Sequence, residues 1–359
     1  MASLPLLDEL KKKYPVCLSV TTATGYDVAL SKCTHDIAIF YYPFDIAFII
    51  QRFIRVVRPR MIILMESELW PNLILRAHKK EIPIIVLNGR ISSSSQKRYR
   101  FFKFFYMPLF KRMNFFGVQS AELKEFLVSM GVDSEKVRVT SNIKFDVTIP
   151  EELITGGKTL NPILTAASTH AGEEAVIIDL YKKLKMKFKN LKLVLIPRHH
   201  ERLCEIEKLV YELWGSKARV RHDARISVLD WLNEGENIFL VGTFGELLKF
   251  YASSTVIFVG KSLFFPGGGQ NIIEPCALGK AVVCGPYMGN FGDVTDYFLK
   301  ENAIVQTTAE EIDKKILYLL ENPEVREDLE LRAKNAVDKK RGIVSKNVDI
   351  IESILRSLR

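Results

Sequence analysis

Gly267-Gly268-Gly269-Gln270-Asn271-Ile272-Ile273-Glu274-Pro275 is the stretch whose reading decides the fold. Before it come an apolar run, residues 254–260, that reads as a buried strand, and a short loop, 261–266. After it, residues 276–280 lead into a second apolar run, 281–284. The order strand, glycine-rich loop, short helix, strand is the repeating unit of a parallel sheet. Consecutive glycines let a backbone approach a ligand and turn N–H groups toward it. A helix starting just after them would aim its positive end at an anion. Asn271 and Glu274 are three apart and would share one side of the first turn. A carboxylate there can accept two hydrogen bonds from a ribose diol. The same letters also describe a glycine turn and an acidic helix start with no ligand at all.

The alternation extends in both directions. Residues 163–167, 191–196 and 237–241 read as strands, each followed by a polar loop and a helix (to 188, 202–214 and to 252). Helices are expected at 308–322, 324–338 and 349–358. In the first half, strands are expected at 16–20, 37–42, 61–65, 84–87, 115–119 and 137–140, with helices at 5–13, 26–31, 45–57, 69–80 and 120–130. Such alternation marks a doubly wound parallel sheet. The reading is therefore α/β, with two Rossmann-like halves facing a cleft: residues 1–146, a linker at 147–160, 161–340, and a last helix in 341–359 that packs back on the first half. The first half opens on a helix, whereas such a sheet usually opens on its central strand. A missing central strand would leave an apolar slot and unpaired backbone groups.

With 359 residues and 48% hydrophobic composition, the chain can fill two cores. Its net charge of +9 suits an anionic partner: a nucleotide, a nucleic acid or an acidic membrane surface. The five cysteines are scattered without metal-ligand spacing and read as reduced core residues. No uninterrupted apolar run approaches the roughly 18 residues of a membrane span.

Polar groups recur at the carboxyl ends of the second half's strands: Ser168, Thr169 and His170; Arg198 and His199; Gly245 and Glu246; then Gly268, Gly269, Gln270, Asn271 and Glu274. That edge is where open parallel sheets bind ligands. Arg198 offers the fork that matches phosphate oxygens, while Ser168 reads first as a helix N-cap. In the first half, Glu66 and Glu68 end a buried strand beside Trp70 and are candidates for a general base or an electrostatic stabiliser. They share a side if the extended form persists. The stretch 96–112 mixes aromatic residues with Arg98, Arg100, Lys103, Lys111 and Arg112 and contains no acid. It suits an anionic membrane interface, nucleic-acid phosphates and bases, or a buried aromatic helix with a basic outer side.

The chain resembles the 3-deoxy-D-manno-octulosonic acid (Kdo) transferases of lipopolysaccharide synthesis. The resemblance is carried in order by Thr21 to Gly25, Glu66 to Asn72, Asn88 to Ser92, Asn142 to Asp146, Ser168 to Glu174, Pro197 to His199, Gly245 to Leu247 and Gly268 to Pro275. It implies a GT-B fold and inverting transfer of Kdo from CMP-Kdo to a lipid A precursor at the inner face of the cytoplasmic membrane, without metal or organic cofactor. No nucleic-acid partner is expected, because the basic residues cluster in one segment rather than lining both halves. It implies CMP binding by the second half, with Arg198 at the phosphate, Asn271 and Glu274 at the nucleotide, and the glycine-loop amides stabilising the departing CMP phosphate. The acceptor would lie in the first half and the basic aromatic stretch at the membrane. The family has an N-terminal membrane anchor, a first strand and a Ser-x-Gly-Glu loop whose Glu is its base; this sequence aligns from just beyond that loop. Gln270 stands where His is common and Lys261 where Gly is common. Two other readings remain: another nucleotide-sugar GT-B enzyme, such as a UDP-sugar transferase or epimerase, and a non-catalytic membrane-associated binding protein of the same descent.

Overall fold

A computed structural model describes residues 3–33, 36–66, 68–155, 161–233 and 235–357. The chain divides into two compact units, residues 1–146 with 340–359, and 147–339.

The first unit runs α1 (Leu4–Leu10), β1 (Cys17–Val20), α2 (Ala23–Lys32), β2 (Ala38–Tyr41), α3 (Ala47–Val57), β3 (Ile62–Met65), α4 (Pro71–Lys79), β4 (Ile84–Gly89), α5 (Ser93–Phe101), α6 (Lys103–Lys111), β5 (Phe115–Val118), α7 (Ala121–Ser129) and β6 (Val137–Val139). The second runs α8 (Glu151–Thr155), β7 (Ile163–Thr169), α9 (Glu173–Lys187), β8 (Lys192–Pro197), α10 (Leu203–Trp214), β9 (Arg219–Arg221), α11 (Val228–Leu232), β10 (Ile238–Val241), α12 (Leu247–Ser253), β11 (Val256–Val259), α13 (Ile273–Ala277), β12 (Ala281–Cys284), α14 (Gly292–Lys300), β13 (Val305–Gln306), α15 (Ile312–Glu321) and α16 (Pro323–Asp338). The last helix, α17 (Ile343–Ser357), returns to the first unit, where it packs against α1.

In the first unit β1 and β2 form one parallel pair, and β3-β4-β5-β6 form a separate parallel sheet. Among the described residues no ladder joins the two. β4 and β5 are buried throughout, whereas β1, β2 and β3 are largely half-buried or exposed. Motif residues tie this sheet's carboxyl ends together. Asn88 Oδ1 accepts the Ile143 N–H (3.0 Å), Gln119 Nε2 donates to the Asn88 carbonyl (2.9 Å), and Asn142 Nδ2 donates to Gln119 Oε1 (3.0 Å). Asp146 accepts the N–H groups of Gly342 (2.6 Å) and Val344 (2.5 Å) and so caps α17 across 196 residues of sequence.

The second unit is one seven-stranded parallel sheet, ordered β13-β12-β11-β7-β8-β10-β9. Its strands are near-continuous apolar runs because helices cover both faces. Tyr181 is fully buried in this core, with its hydroxyl in reach of the carbonyls of Leu191 (2.8 Å) and Asn237 (3.0 Å).

Three sequence expectations change. The segment 147–160 contains helix α8, and residues 156–160 lie outside the described residues. The helix expected at 26–31 starts earlier, at Ala23, because Thr22 caps α2 by accepting the Gly25 N–H (3.0 Å). Only Cys276 and Cys284 are core cysteines; Cys33 is half-buried, and Cys17 and Cys204 are exposed, Cys17 on the more exposed side of β1.

Candidate functional site

β7 and β11 are neighbours in the second sheet, yet the chain leaves β7 toward β8 and returns on the other side as β11. The strand order reverses between them, and the carboxyl edge at such a switch point is where open parallel sheets bind ligands. The first loop carries Ser168, Thr169 and His170. The second carries Lys261 and the glycine run.

The glycines serve a different purpose from the one the sequence implies. Gly267, Gly268 and Gly269 have φ of 48°, 118° and 69°, which suits residues without a side chain. A Cβ on them would lie 2.4 Å from Tyr287 Cβ, 2.6 Å from Asn290 Nδ2 and 2.3 Å from Met288 Sδ. The loop is thus pressed onto residues 287–290. The Gly268 N–H donates to the Tyr287 carbonyl (2.9 Å) and the Gly269 N–H to the Lys261 carbonyl (2.8 Å). Those two amides are spent on the fold and do not face a phosphate. The helix also starts later than expected, at Ile273. Asn271 precedes it and accepts the Ile273 N–H (3.1 Å), so Asn271 and Glu274 do not share a helical turn. Glu274 lies half-buried near Tyr251, whose hydroxyl is raised well above its ordinary range by burial first and then by that carboxylate.

Ser168 is not an N-cap. It sits in β7 at φ 55°, in the irregularity between Ala167 and Thr169, and Gly172 caps α9. Thr169 is completely buried, so its hydroxyl does not reach solvent. His170 is half-buried, its Nδ1 lies 3.2 Å from the Ser168 carbonyl, and burial lowers its pKa below 6.5. Its ring meets that of His199 edge-on at 5.3 Å. Arg198 and His199 are exposed at the end of β8, and His199 Nδ1 is 3.2 Å from Glu201. His200 stacks on Phe244 at 3.8 Å, and Phe244 is 80% exposed beside the open Gly245. The edge therefore presents His170, Arg198, His199, Gly245, Gln270 and Asn271 to solvent or half-buried.

Glu246 belongs to the interior instead. Arg221 grips it with Nε to Oε2 and Nη2 to Oε1, both 2.8 Å, and Thr243 donates to Oε2 at 2.5 Å. Both ion-pair partners are buried, which removes Glu246 from the list of ligand contacts. The sequence reading missed four residues: Arg221, Glu173, Glu174 and Arg202. Glu174 is completely buried and accepts from Arg202 (2.9 Å). Glu173 gathers four backbone N–H groups. Two adjacent acids ending a polar strand-to-helix segment, with an i, i+3 return to His170 like that of a capping box, were the available signal.

In the first unit the strand ends at Met65, and Glu66 takes φ 60°. The extended form that would set Glu66 and Glu68 on one side does not persist; Ser67 lies outside the described residues. Glu68 accepts from Trp70 Nε1 (3.1 Å), Trp70 stacks on Tyr42 (4.4 Å), and Asp45 caps α4 through the N–H groups of Asn72 and Leu73. Both carboxylates border a small apolar cavity of about 20 Å³, lined also by Val86, Phe110 and Phe116.

The basic aromatic stretch folds as α5 and α6; Tyr99 and Phe110 are buried in the core, while Phe101 and Phe104 turn outward, 79% and 77% exposed. The stretch is therefore split, with one aromatic side buried and the other exposed. Arg100 lies over Phe126, while Lys103 and Arg112 donate to the carbonyls of Ser129 (2.8 Å) and Pro108 (2.7 Å). Arg98 lies over the ring of its neighbour Tyr99, and Lys111 is exposed. α4 packs against both α6 and α3, and α3 adds exposed Phe48, Arg52, Arg55 and Val56.

Two parallel-sheet Rossmann-like units of this kind make a GT-B-like fold. The UDP-GlcNAc 2-epimerase of Neisseria meningitidis, solved bound to UDP-GlcNAc, superposes with a TM-score of 0.60 at 16% identity, covering 99% of this chain and 96% of that one. Within that class, residues 1–147 match the family described as 3-deoxy-D-manno-octulosonic-acid transferase (kdotransferase), and residues 173–336 match glycosyl transferases group 1. The 3-deoxy-D-manno-octulosonic acid transferase of Haemophilus influenzae is 31% identical over 99% of this chain and 84% of its own length. A bifunctional glycosyltransferase/methyltransferase of Fusobacterium nucleatum is 34% identical over 88% of this chain and 51% of its own length. The chain belongs to the Kdo transferase family.

Proposed function

We propose that this chain moves Kdo from CMP-Kdo to a lipid A precursor, with the donor at the β7–β11 edge of the second unit. The observation that supports this best is the set of groups turned outward at that edge in a chain so similar to a Kdo transferase along its length: Arg198, His170, His199, Gln270 and Asn271. Arg198 is a permanent cation for the phosphate. Asn271 and Glu274 lie at the nucleotide. The acceptor hydroxyl forms a bond to the anomeric carbon as the bond from that carbon to the phosphate oxygen breaks. CMP leaves with the electron pair, and the hydroxyl proton passes to a carboxylate, for which Glu66 and Glu68 are the candidates in the first unit. Arg198 opposes the charge that develops on the leaving phosphate.

The acceptor reading places a peripheral contact with anionic membrane on the first unit. Phe48, Phe101 and Phe104 supply apolar anchors, with Arg52, Arg55, Arg98, Arg100, Lys103, Lys111 and Arg112 among and beside them. Among the described residues no helix is long and apolar enough to cross a membrane.

CMP release from CMP-Kdo in the presence of a lipid A precursor tests the reaction, and thermal shift with CMP against UDP tests the donor. Stabilisation by CMP and not UDP is expected. A chain that releases no CMP and responds to neither nucleotide would refute the assignment; one stabilised by UDP alone would move it to a UDP-sugar enzyme.

A further inference from the structure

We propose that Glu173 is the positioning residue of the donor site, an internal anion that sets the two switch-point loops in the geometry that receives a sugar nucleotide. The proposal rests on the donor-site reading above.

Glu173 is 2% exposed at the first position of α9. Its Oε2 accepts the N–H groups of His170 (2.9 Å) and Lys261 (2.7 Å), and its Oε1 those of Ser262 (2.8 Å) and Leu263 (3.0 Å). His170 belongs to the loop after β7 and the other three to the loop after β11. Converging backbone N–H groups of this kind make an anion-binding nest. Here the chain fills the nest with its own carboxylate, which leaves the donor phosphate to side chains such as Arg198.

The hydrogen bonds continue outward from that carboxylate. The Lys261 carbonyl accepts the Gly269 N–H (2.8 Å), and the Ser262 carbonyl accepts the Tyr287 N–H (3.0 Å). The Tyr287 carbonyl accepts the Gly268 N–H (2.9 Å), and the Ser262 hydroxyl accepts the Gly285 N–H (2.8 Å). One side chain therefore roots the loops after β7, β11 and β12, with Gln270 and Asn271 at the end of the path. The neighbouring sequence is shaped to admit it. A Cβ at Gly260 would lie 2.7 Å from Glu173 Oε2 and 2.7 Å from Thr169 Cα. Ser168 and Lys261 hold φ of 55° and 58°, conformations that non-glycine residues keep only where their surroundings impose them.

All four partners are donors, so an amide in place of the carboxylate turns an NH₂ group against two of them. The test uses the full chain with Glu173→Gln and, separately, Gly260→Ala, which retains the carboxylate but displaces it. Amide hydrogen exchange is followed over 168–173, 260–270 and 285–290, and CMP affinity by calorimetry. In both variants exchange over 260–270 should quicken at least about tenfold while β8 and β10 keep wild-type protection, and the CMP Kd should rise at least about tenfold. Where turnover is measured, KM for CMP-Kdo should rise with KM for the acceptor unchanged, a split that general loss of stability would not produce. Wild-type exchange over 260–270 in Glu173→Gln would overturn the proposal, as would an unchanged CMP Kd in Gly260→Ala with loosened loops. A wild-type chain that does not bind CMP would instead refute the donor assignment.

Discussion

Replacing Glu246 by Ala tests whether this strand-end acid belongs to the fold or to the ligand. In the structure its carboxylate takes both ends of the Arg221 fork and the Thr243 hydroxyl, while Arg221 also donates to the Ile226 carbonyl (2.8 Å) and lies over Trp231 (5.4 Å). The side chains of Arg221 and Glu246 are 2% and 6% exposed. Removing the acid strands a buried guanidinium, a loss of about 3–5 kcal/mol. At an m value of roughly 2–3 kcal/mol/M, that lowers the urea midpoint of the second unit by about 1–2.5 M. Trp231 fluorescence and circular dichroism would follow the transition. The Arg221 hydrogen bonds, working against burial, hold the Glu246 carboxyl below its ordinary pKa of 4.5. A lowered folded-state pKa stabilises the fold fully above about pH 4.5, and that contribution disappears as pH falls through the folded value. The gap between wild type and Glu246→Ala should therefore narrow below pH 4.5. The double variant Arg221→Met/Glu246→Leu should recover most of the lost stability, because neither charge then remains buried. A Glu246→Ala protein with a midpoint within about 0.3 M of wild type but weakened CMP binding would refute the reasoning and return Glu246 to the ligand.

Gly269→Ala places a Cβ 2.3 Å from Met288 Sδ at φ 69°, so it should cost about 1–3 kcal/mol by thermal denaturation, with part restored by Met288→Ala; a neutral effect would show that the loop is not pressed onto residues 287–290. Asp146→Ala removes the distant cap of α17 and should cost about 1–2 kcal/mol, seen as faster amide exchange at residues 342–346, with Asp146→Asn costing less. Unchanged exchange there would mean the cap contributes nothing. Phe101→Ser/Phe104→Ser should weaken sedimentation with vesicles containing anionic lipid by about 10–100-fold while leaving CMP binding intact. Wild-type sedimentation would remove this face from the membrane contact.

The alternation of apolar runs and polar loops carried most of the architecture, because parallel strands buried on both faces leave a strong local signal. The runs 163–167, 191–196, 237–241, 254–260 and 281–284 all became strands of one sheet. Ordered polar motifs at strand ends also pointed to the edge that faces solvent and, through the resemblance, to the family. Position along the chain was enough for that, since a strand's carboxyl end is a local property.

What each polar residue does there was decided only by tertiary structure. Glu173, Glu246 and Glu274 look alike in sequence, as acids at or near helix starts. The first is enclosed by N–H groups from a loop about 90 residues away, the second by an arginine 25 residues earlier, and the third lies half-buried near Tyr251. The glycine run reads as an open cradle, yet residues 287–290 fill the space that its missing side chains leave. Glu66 leaves the extended form at a strand end where nothing in the neighbouring letters demands a positive φ. Local sequence sets which residues reach a surface or an edge. The burial and hydrogen-bond partners that turn a carboxylate into a ligand contact, a structural counter-ion or an internal anion come from segments distant in the chain, and those are known only once the fold has brought them together.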